Sequence, residues 1–212
     1  MPTYFVAVAG NIGVGKSTLT RLLAQALGWD PFFEPAAENP YLADFYQDMA
    51  RWSFHSQTFF LSTRLQQHYL LQQHQGSVLQ DRTIYEDAEI FARNLYRQGH
   101  LSDRDWQTYH TIYESLSLLL RPPNLIVYLQ ASVPTLRRRI AQRGRDYERS
   151  ISDGYLAALN DLYEEWAASF TACPLLTVAT DNLNYVSNGQ HLAEMVSIIQ
   201  DRLHGREYLV LK

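Results

Sequence analysis

With 212 residues, 46% of them hydrophobic, the chain can bury one sizeable core, and a formal net charge of −4 argues against a surface that binds nucleic acid throughout. A single cysteine, Cys173, excludes an internal disulfide framework and a thiolate cluster, and the seven histidines include no H-x-x-x-H pair, so no structural zinc site is expected. The start Met1-Pro2-Thr3-Tyr4 lacks a basic leader pattern and no apolar run approaches membrane-spanning length, so the expectation is a soluble cytoplasmic protein with neither membrane nor nucleic acid as partner.

No linker, repeat or low-complexity stretch divides the sequence, and residues 1–212 read as one domain. Short apolar runs at 4–9, 31–34, 77–80, 125–129 and 175–178 predict strands. Between them lie helix-spaced apolar residues, such as Leu61, Leu65 and Tyr69, then Ile84, Ala88, Phe91 and Leu95. Such alternation predicts an α/β fold, a five-stranded parallel sheet with helices on both faces, whose ligands gather beyond the carboxyl ends of the strands.

The first strand runs into Gly10-Asn11-Ile12-Gly13-Val14-Gly15-Lys16-Ser17-Thr18, which fits G-x-x-x-x-G-K-[ST]. Glycines 10, 13 and 15 let the backbone curl so that successive N–H groups face one concavity. The helix that follows adds its N-terminal partial charge. Lys16 would reach the β and γ phosphates of a nucleoside triphosphate, and the Ser17 hydroxyl would hold Mg²⁺. Lys16 and Lys212 are the only lysines, so a compact point charge is singled out at this place in an arginine-biased chain. The second and third strands deliver Glu34 and Asp81-Arg82 to the same edge.

Residues 136–149 are rich in arginine. Arg139 and Arg143, four apart, share a helix face, and Arg145 lies beyond Gly144, a pattern that reads as a lid over phosphates at about 139–150. Helices are expected at 153–170 and 188–203, and the tail 206–212 has strand-like composition.

Five ordered motifs covering nearly the whole chain resemble the deoxyribonucleoside kinases. They are the P-loop; Phe33-Glu34-Pro35; Trp52-Ser53-Phe54 with Gln57 and Arg64; Asp81-Arg82-Thr83 with Asp87; and the stretch from Arg139 to Glu148. The small size and the Asp81-Arg82-Thr83 spelling look like the bacterial deoxyadenosine/deoxyguanosine kinase branch.

The resemblance implies a P-loop kinase fold and ATP-dependent phosphorylation of a deoxyribonucleoside 5′-hydroxyl. It makes Glu34 the base and Arg82 its partner or that of the 5′-oxygen. Asp81 would complete the Mg²⁺ shell with Ser17, and Arg139, Arg143 and Arg145 would neutralise the moving phosphoryl. It implies Tyr46 and Glu148 on the 3′-hydroxyl, with the Tyr46 ring excluding a ribose 2′-hydroxyl.

For the base, Gln57, Phe60 and Arg64 form one helical stripe, and Trp52, Asp87 and Phe91 match further substrate-binding positions. Ser56, where animal members carry phenylalanine, is expected to widen the pocket for a purine. The stretch Asp181-Asn182-Leu183-Asn184-Tyr185-Val186 resembles the loop that holds the adenine of ATP. A homodimer and feedback inhibition by a deoxynucleoside triphosphate are implied as well. Deoxyadenosine or deoxyguanosine is the favoured substrate. A deoxycytidine-preferring or broad-specificity enzyme, and less so a nucleoside monophosphate kinase, stay open as alternatives.

Overall fold

The computed structural model describes residues 3–34 and 38–204. Its centre is a five-stranded sheet of order β2-β3-β1-β4-β5, parallel at every pairing. The central strands β1 (Phe5–Gly10) and β4 (Leu125–Gln130) are buried almost throughout, which is why they read as unbroken apolar runs. β3 (Val78–Asp81) lies beside β1, and β2 (Asp30–Phe32) and β5 (Leu175–Ala179) form the edges. The chain leaves β1 toward β2 on one side and β4 toward β5 on the other. The carboxyl edge between β1 and β4 is therefore a topological switch point, where parallel sheets bind ligands.

All five expected strands are present, with shifted ends. β2 stops at Phe32 because the Phe33 carbonyl accepts a hydrogen bond from Gln67 Nε2 (2.8 Å) in place of a strand partner, which frees Glu34 from the sheet. β3 runs one residue further than expected, so Asp81 pairs with Val8 and emerges at the same edge.

Helix α1 (Lys16–Leu27) starts from the P-loop and ends at Gly28, whose φ of 67° suits glycine. After α2 (Leu42–Gln47), α3 (Met49–Gln73) is capped by the Asp48 side chain, which accepts from the Arg51 N–H. The spacing of Ile84, Ala88, Phe91 and Leu95 predicts ordinary α-helix. The structure instead has α4 (Ile84–Glu86), a π-helical segment (Asp87–Ala92) and α5 (Arg93–Arg97) in one run. The widened turn is a common device for aiming side chains into a site, and Asp87 and Phe91 both lie in it.

α6 (Asp103–Ser117) packs on α3. α7 (Val133–Arg143) ends at a left-handed Gly144, and a 3₁₀ turn (Asp146–Glu148) leads to α8 (Asp153–Ser169). α9 (Gly189–His204) packs on α1. The expected strand-like tail 206–212 and Pro35 lie outside the described residues. Among those described, no helix is long and apolar enough to cross a membrane.

Candidate active site

The P-loop is held by side chains from four other elements. Lys16 is buried, and its Nζ donates to the carbonyls of Gly10 (2.8 Å) and Asn11 (3.1 Å). Two of its three donors are thereby used, and the third is left for a phosphate. Burial, and next the Arg82 charge, lower its pKa to about 8. Asn11 turns away from the loop, donating to the Leu156 carbonyl (2.9 Å) and Asn160 Oδ1 (2.8 Å) on α8. Ser17 Oγ donates to Asp81 Oδ2, while Asp81 Oδ1 is buried with no partner among the described residues. Burial raises the Asp81 pKa.

Beside this anion site stands a chain of alternating charges. Glu34 Oε1 accepts from Arg64 Nη2 (2.9 Å) and lies 2.8 Å from Arg82 Nε, a charge contact that is not aligned as a hydrogen bond. Arg64 Nε donates to Asp87 Oδ2 (3.2 Å). Burial by itself would raise the Glu34 pKa, but the charges of Arg82, Arg64 and Lys16 outweigh it and hold the carboxyl at about 2. Burial wins at Asp87, which rises to about 6 in spite of Arg64 and Arg82. Arg82 has a φ of 72°, unusual for a residue with a side chain, and its guanidinium lies 4.3 Å from the centre of the Phe91 ring.

These groups open into one cavity of about 880 Å³, within the range of small-molecule sites. One wall carries Gln57, Phe60, Asp87 and Phe91, the next Phe45 and Tyr46, and the roof comes from α7 and the 3₁₀ turn. In that roof Arg143 grips Glu148 with two bonds (Nη2 to Oε1, 2.6 Å; Nε to Oε2, 3.0 Å), and Arg145 Nη1 lies 3.6 Å from the same carboxylate. Arg139 donates to the carbonyls of Val14 (2.8 Å) and Thr180 (2.7 Å). A P-loop, a carboxylate held between arginines and an arginine-bearing roof thus share one cavity, an arrangement suited to moving a phosphoryl group onto a hydroxyl.

A family model described as deoxynucleoside kinase matches residues 6–204. The chain belongs to the deoxynucleoside kinase family. Among its relatives, a deoxyadenosine/deoxycytidine kinase of Bacillus subtilis is 35% identical over 204 residues, covering 95% of this chain and 94% of that protein. A deoxyguanosine kinase of the same organism is 33% identical over 201 residues, covering 93% and 96%. The structure of a deoxyadenosine kinase from M. mycoides with bound dATP superposes with a TM-score of 0.81 at 28% identity, covering 93% of this chain and 99% of that one.

In this kinase Gly13, Val14, Gly15, Lys16, Ser17 and Thr18 line the cavity, as do Glu34, Arg82, Tyr46, Gln57, Phe60, Asp87, Phe91, Arg139, Arg143, Arg145, Glu148 and Asp181. Gly10 and Asn11, the first two residues of the loop, do not line the cavity. Asp81 is reached through Ser17, and Arg64 sits one layer back, touching the cavity through Asp87 and Glu34. Trp52 lies outside the wall, stacked on Tyr41 with ring centres 5.8 Å apart. Ser56 is fully buried and does not itself line the cavity; its Oγ accepts from Asn39 Nδ2 (3.1 Å). Asp181 Oδ1 accepts from the Ser132 N–H (3.0 Å) and hydroxyl (3.1 Å), so it also fixes the start of α7.

Sequence reasoning missed Glu86, Tyr163 and Asn160, and it placed Tyr185 in the adenine loop without its bond to the P-loop. Tyr185 donates from its hydroxyl to the Gly15 carbonyl (3.3 Å). Only Glu86 carried a local signal, the capping box Thr83-x-x-Glu86, and its further contacts are long-range.

Proposed function

We propose that this kinase transfers the terminal phosphoryl group of ATP to the 5′-hydroxyl of a deoxyribonucleoside, with deoxyadenosine or deoxyguanosine as favoured substrate, giving the 5′-monophosphate for nucleotide salvage. The observation that carries the reading is Glu34: a carboxylate, not a cluster of free cations, faces the cavity beside the P-loop lysine. A monophosphate acceptor would meet that negative charge, whereas a neutral hydroxyl can donate a hydrogen bond to it.

A carboxyl held at about 2 is a weak base, and phosphoryl transfer asks little more of it. In a loose transition state the 5′-oxygen keeps its proton until the new P–O bond is well formed. Glu34 first orients the hydroxyl and then takes the proton as its acidity rises. Arg82 and Arg64 keep Glu34 ionised and turned to the cavity. Lys16 binds the triphosphate with its free donor, and Arg143 and Arg145 can exchange Glu148 for phosphate oxygens as the roof closes.

Ser17 Oγ and the unpartnered Asp81 Oδ1 fit a Mg²⁺ held by one side-chain ligand and one water-bridged carboxylate. Two such groups leave most of the coordination to phosphate oxygens and water, which supports a cation carried in with the nucleotide. When bound, Mg²⁺ would neutralise charge on the phosphates.

Tyr46 and Glu148 lie on the cavity wall where they could hold a 3′-hydroxyl, and Gln57 offers an amide beside the apolar faces of Phe60 and Phe91. Deoxycytidine as a second substrate is favoured by the description of the 35% identical relative. A homodimer is supported by exposed Tyr69 and Leu70 on α3 and Ile112 on α6, two helices that pack together. Inhibition by a deoxynucleoside triphosphate is supported by the neighbour that binds dATP. One domain with a lid at about 139–150, working in the cytoplasm, completes the reading.

The test is a phosphotransfer assay with ATP, Mg²⁺ and each deoxynucleoside and its monophosphate. Transfer to nucleosides is expected, and transfer to monophosphates alone overturns the reading.

A further inference from the structure

Glu86 is fully buried, and nothing in the phosphoryl-transfer scheme uses it. Its two oxygens face opposite halves of the site. Oε1 accepts from the N–H of Gly10 (3.0 Å), the first residue of the P-loop. Oε2 accepts from the N–H of Thr83 (2.7 Å), the residue after Arg82, and from the Thr83 hydroxyl (3.1 Å).

Both backbone points are unusual. Gly10 has a φ of 140°, and a Cβ there would stand 2.5 Å from the Leu129 carbonyl oxygen, so only glycine fits. A glycine peptide has little preference of its own, and its orientation is set by partners. The Gly10 carbonyl is also where Lys16 Nζ is anchored (2.8 Å). Arg82, with a φ of 72°, is a strained residue kept in place by its surroundings. Its own N–H donates to the Val8 carbonyl (2.9 Å), two residues before Gly10. Tyr163 of α8 completes the cluster. Its hydroxyl is 2.7 Å from Glu86 Oε1 and 2.8 Å from the Gly10 carbonyl, and its single proton serves one of them.

We propose that Glu86 is a positioning residue that sets Lys16 on the donor side against Arg82 on the acceptor side. One carboxylate spans the turn that aims the lysine and the turn that aims the arginine. This rests on the kinase reading above. Glu86 acts on alignment between two bound substrates, more than on the affinity for either.

Glu86→Gln and Glu86→Asp test it. A glutamine has one oxygen and must turn its amide toward one of the two N–H groups. An aspartate keeps the charge but is a methylene short of spanning both. A buried donor left without an acceptor shifts a rate or equilibrium by about tenfold to a hundredfold. The expected result in whichever variant is folded at the assay temperature is a kcat lowered about that much, with Kd for deoxynucleoside and for a non-hydrolysable ATP analogue each within about threefold. Leu101→Ala supplies the control, since it opens the buried core between α5 and α6 and leaves both Glu86 bridges and the Tyr163 hydroxyl in place. It is expected to lower Tm while keeping kcat within about threefold.

A folded Glu86 variant with unchanged kcat overturns the proposal. So does Leu101→Ala losing as much kcat as Glu86→Gln, because general destabilisation would then explain both. Wild-type turnover of deoxynucleosides in the same assay keeps the kinase reading standing in either case. Wild-type transfer to monophosphates alone would remove both.

Discussion

The cations of the site are held in two ways. Lys16, Arg64 and Arg82 are buried and fixed by backbone carbonyls or carboxylates, whereas Arg143 and Arg145 in the roof leave 33% and 44% of their side chains exposed. Fixed charge beneath the cavity is preorganised, which is what stabilises a transition state without reorganisation at the moment of reaction. Arg143 and Arg145 sit on the Glu148 carboxylate at 2.6 and 3.6 Å, and in the proposed mechanism they exchange it for phosphate oxygens.

The largest effect should come from breaking the roof while sparing the floor. Arg143→Ala is expected to lower kcat by about 10³-fold, the scale of an arginine supplied to a transferring phosphoryl group. Glu148 is buried, but Arg145 remains 3.6 Å from its carboxylate, so Tm should fall only modestly. Steady-state kinetics with a melting curve checks both, and a large fall in Tm would mean the roof is structural.

Next comes Glu34→Gln, expected to lower kcat by about 10²-fold with nucleoside binding within a few-fold, because the amide still accepts a hydrogen bond but takes no proton. Turnover equal to wild type would remove Glu34 from its role.

A smaller effect concerns Lys16. Since its pKa is lowered to about 8, the free enzyme loses that charge as pH rises past 8, while bound triphosphate restores it. Affinity for the ATP analogue should fall by up to about tenfold per pH unit above 8, and binding at pH 8 should take up a proton. Calorimetry in buffers of different ionisation heat measures that uptake, and its absence would mean the lysine is charged throughout.

The smallest effect is on stability. Glu34 is depressed to about 2, so it contributes stability that is present above about 4.5 and lost as pH falls through 2. Asp87, raised to about 6, does the opposite: the folded state binds its proton more tightly, and that contribution fades as pH rises from about 3.8 through 6. Asp87→Asn should flatten the change in stability between pH 4 and 6. Denaturant midpoints across that range are the check.

The parts of the molecule that sequence reveals are those governed by local rules. Apolar runs marked β1 and β4, and glycine spacing marked the loop at 10–18, because burial and backbone freedom act residue by residue. The charge chain from Arg82 through Glu34 and Arg64 to Asp87 joins three distant segments, and only the folded sheet edge brings them together. The π-helical segment escaped notice because the spacing of Ile84, Ala88, Phe91 and Leu95 fits an ordinary helix equally well. The Asn39 bond to Ser56 was illegible as well, since a side-chain pair 17 residues apart leaves no local pattern.

Gly13 illustrates how one residue serves mechanics as well as chemistry. A Cβ on it would stand 2.6 Å from Ile140 Cγ1 and 3.0 Å from the Leu136 carbonyl, both on α7. The phosphate loop is therefore also the surface against which α7 packs. Any side chain at position 13 would strain the loop, whose φ there is 82°, and at the same time press on the helix that carries Arg139 and Arg143.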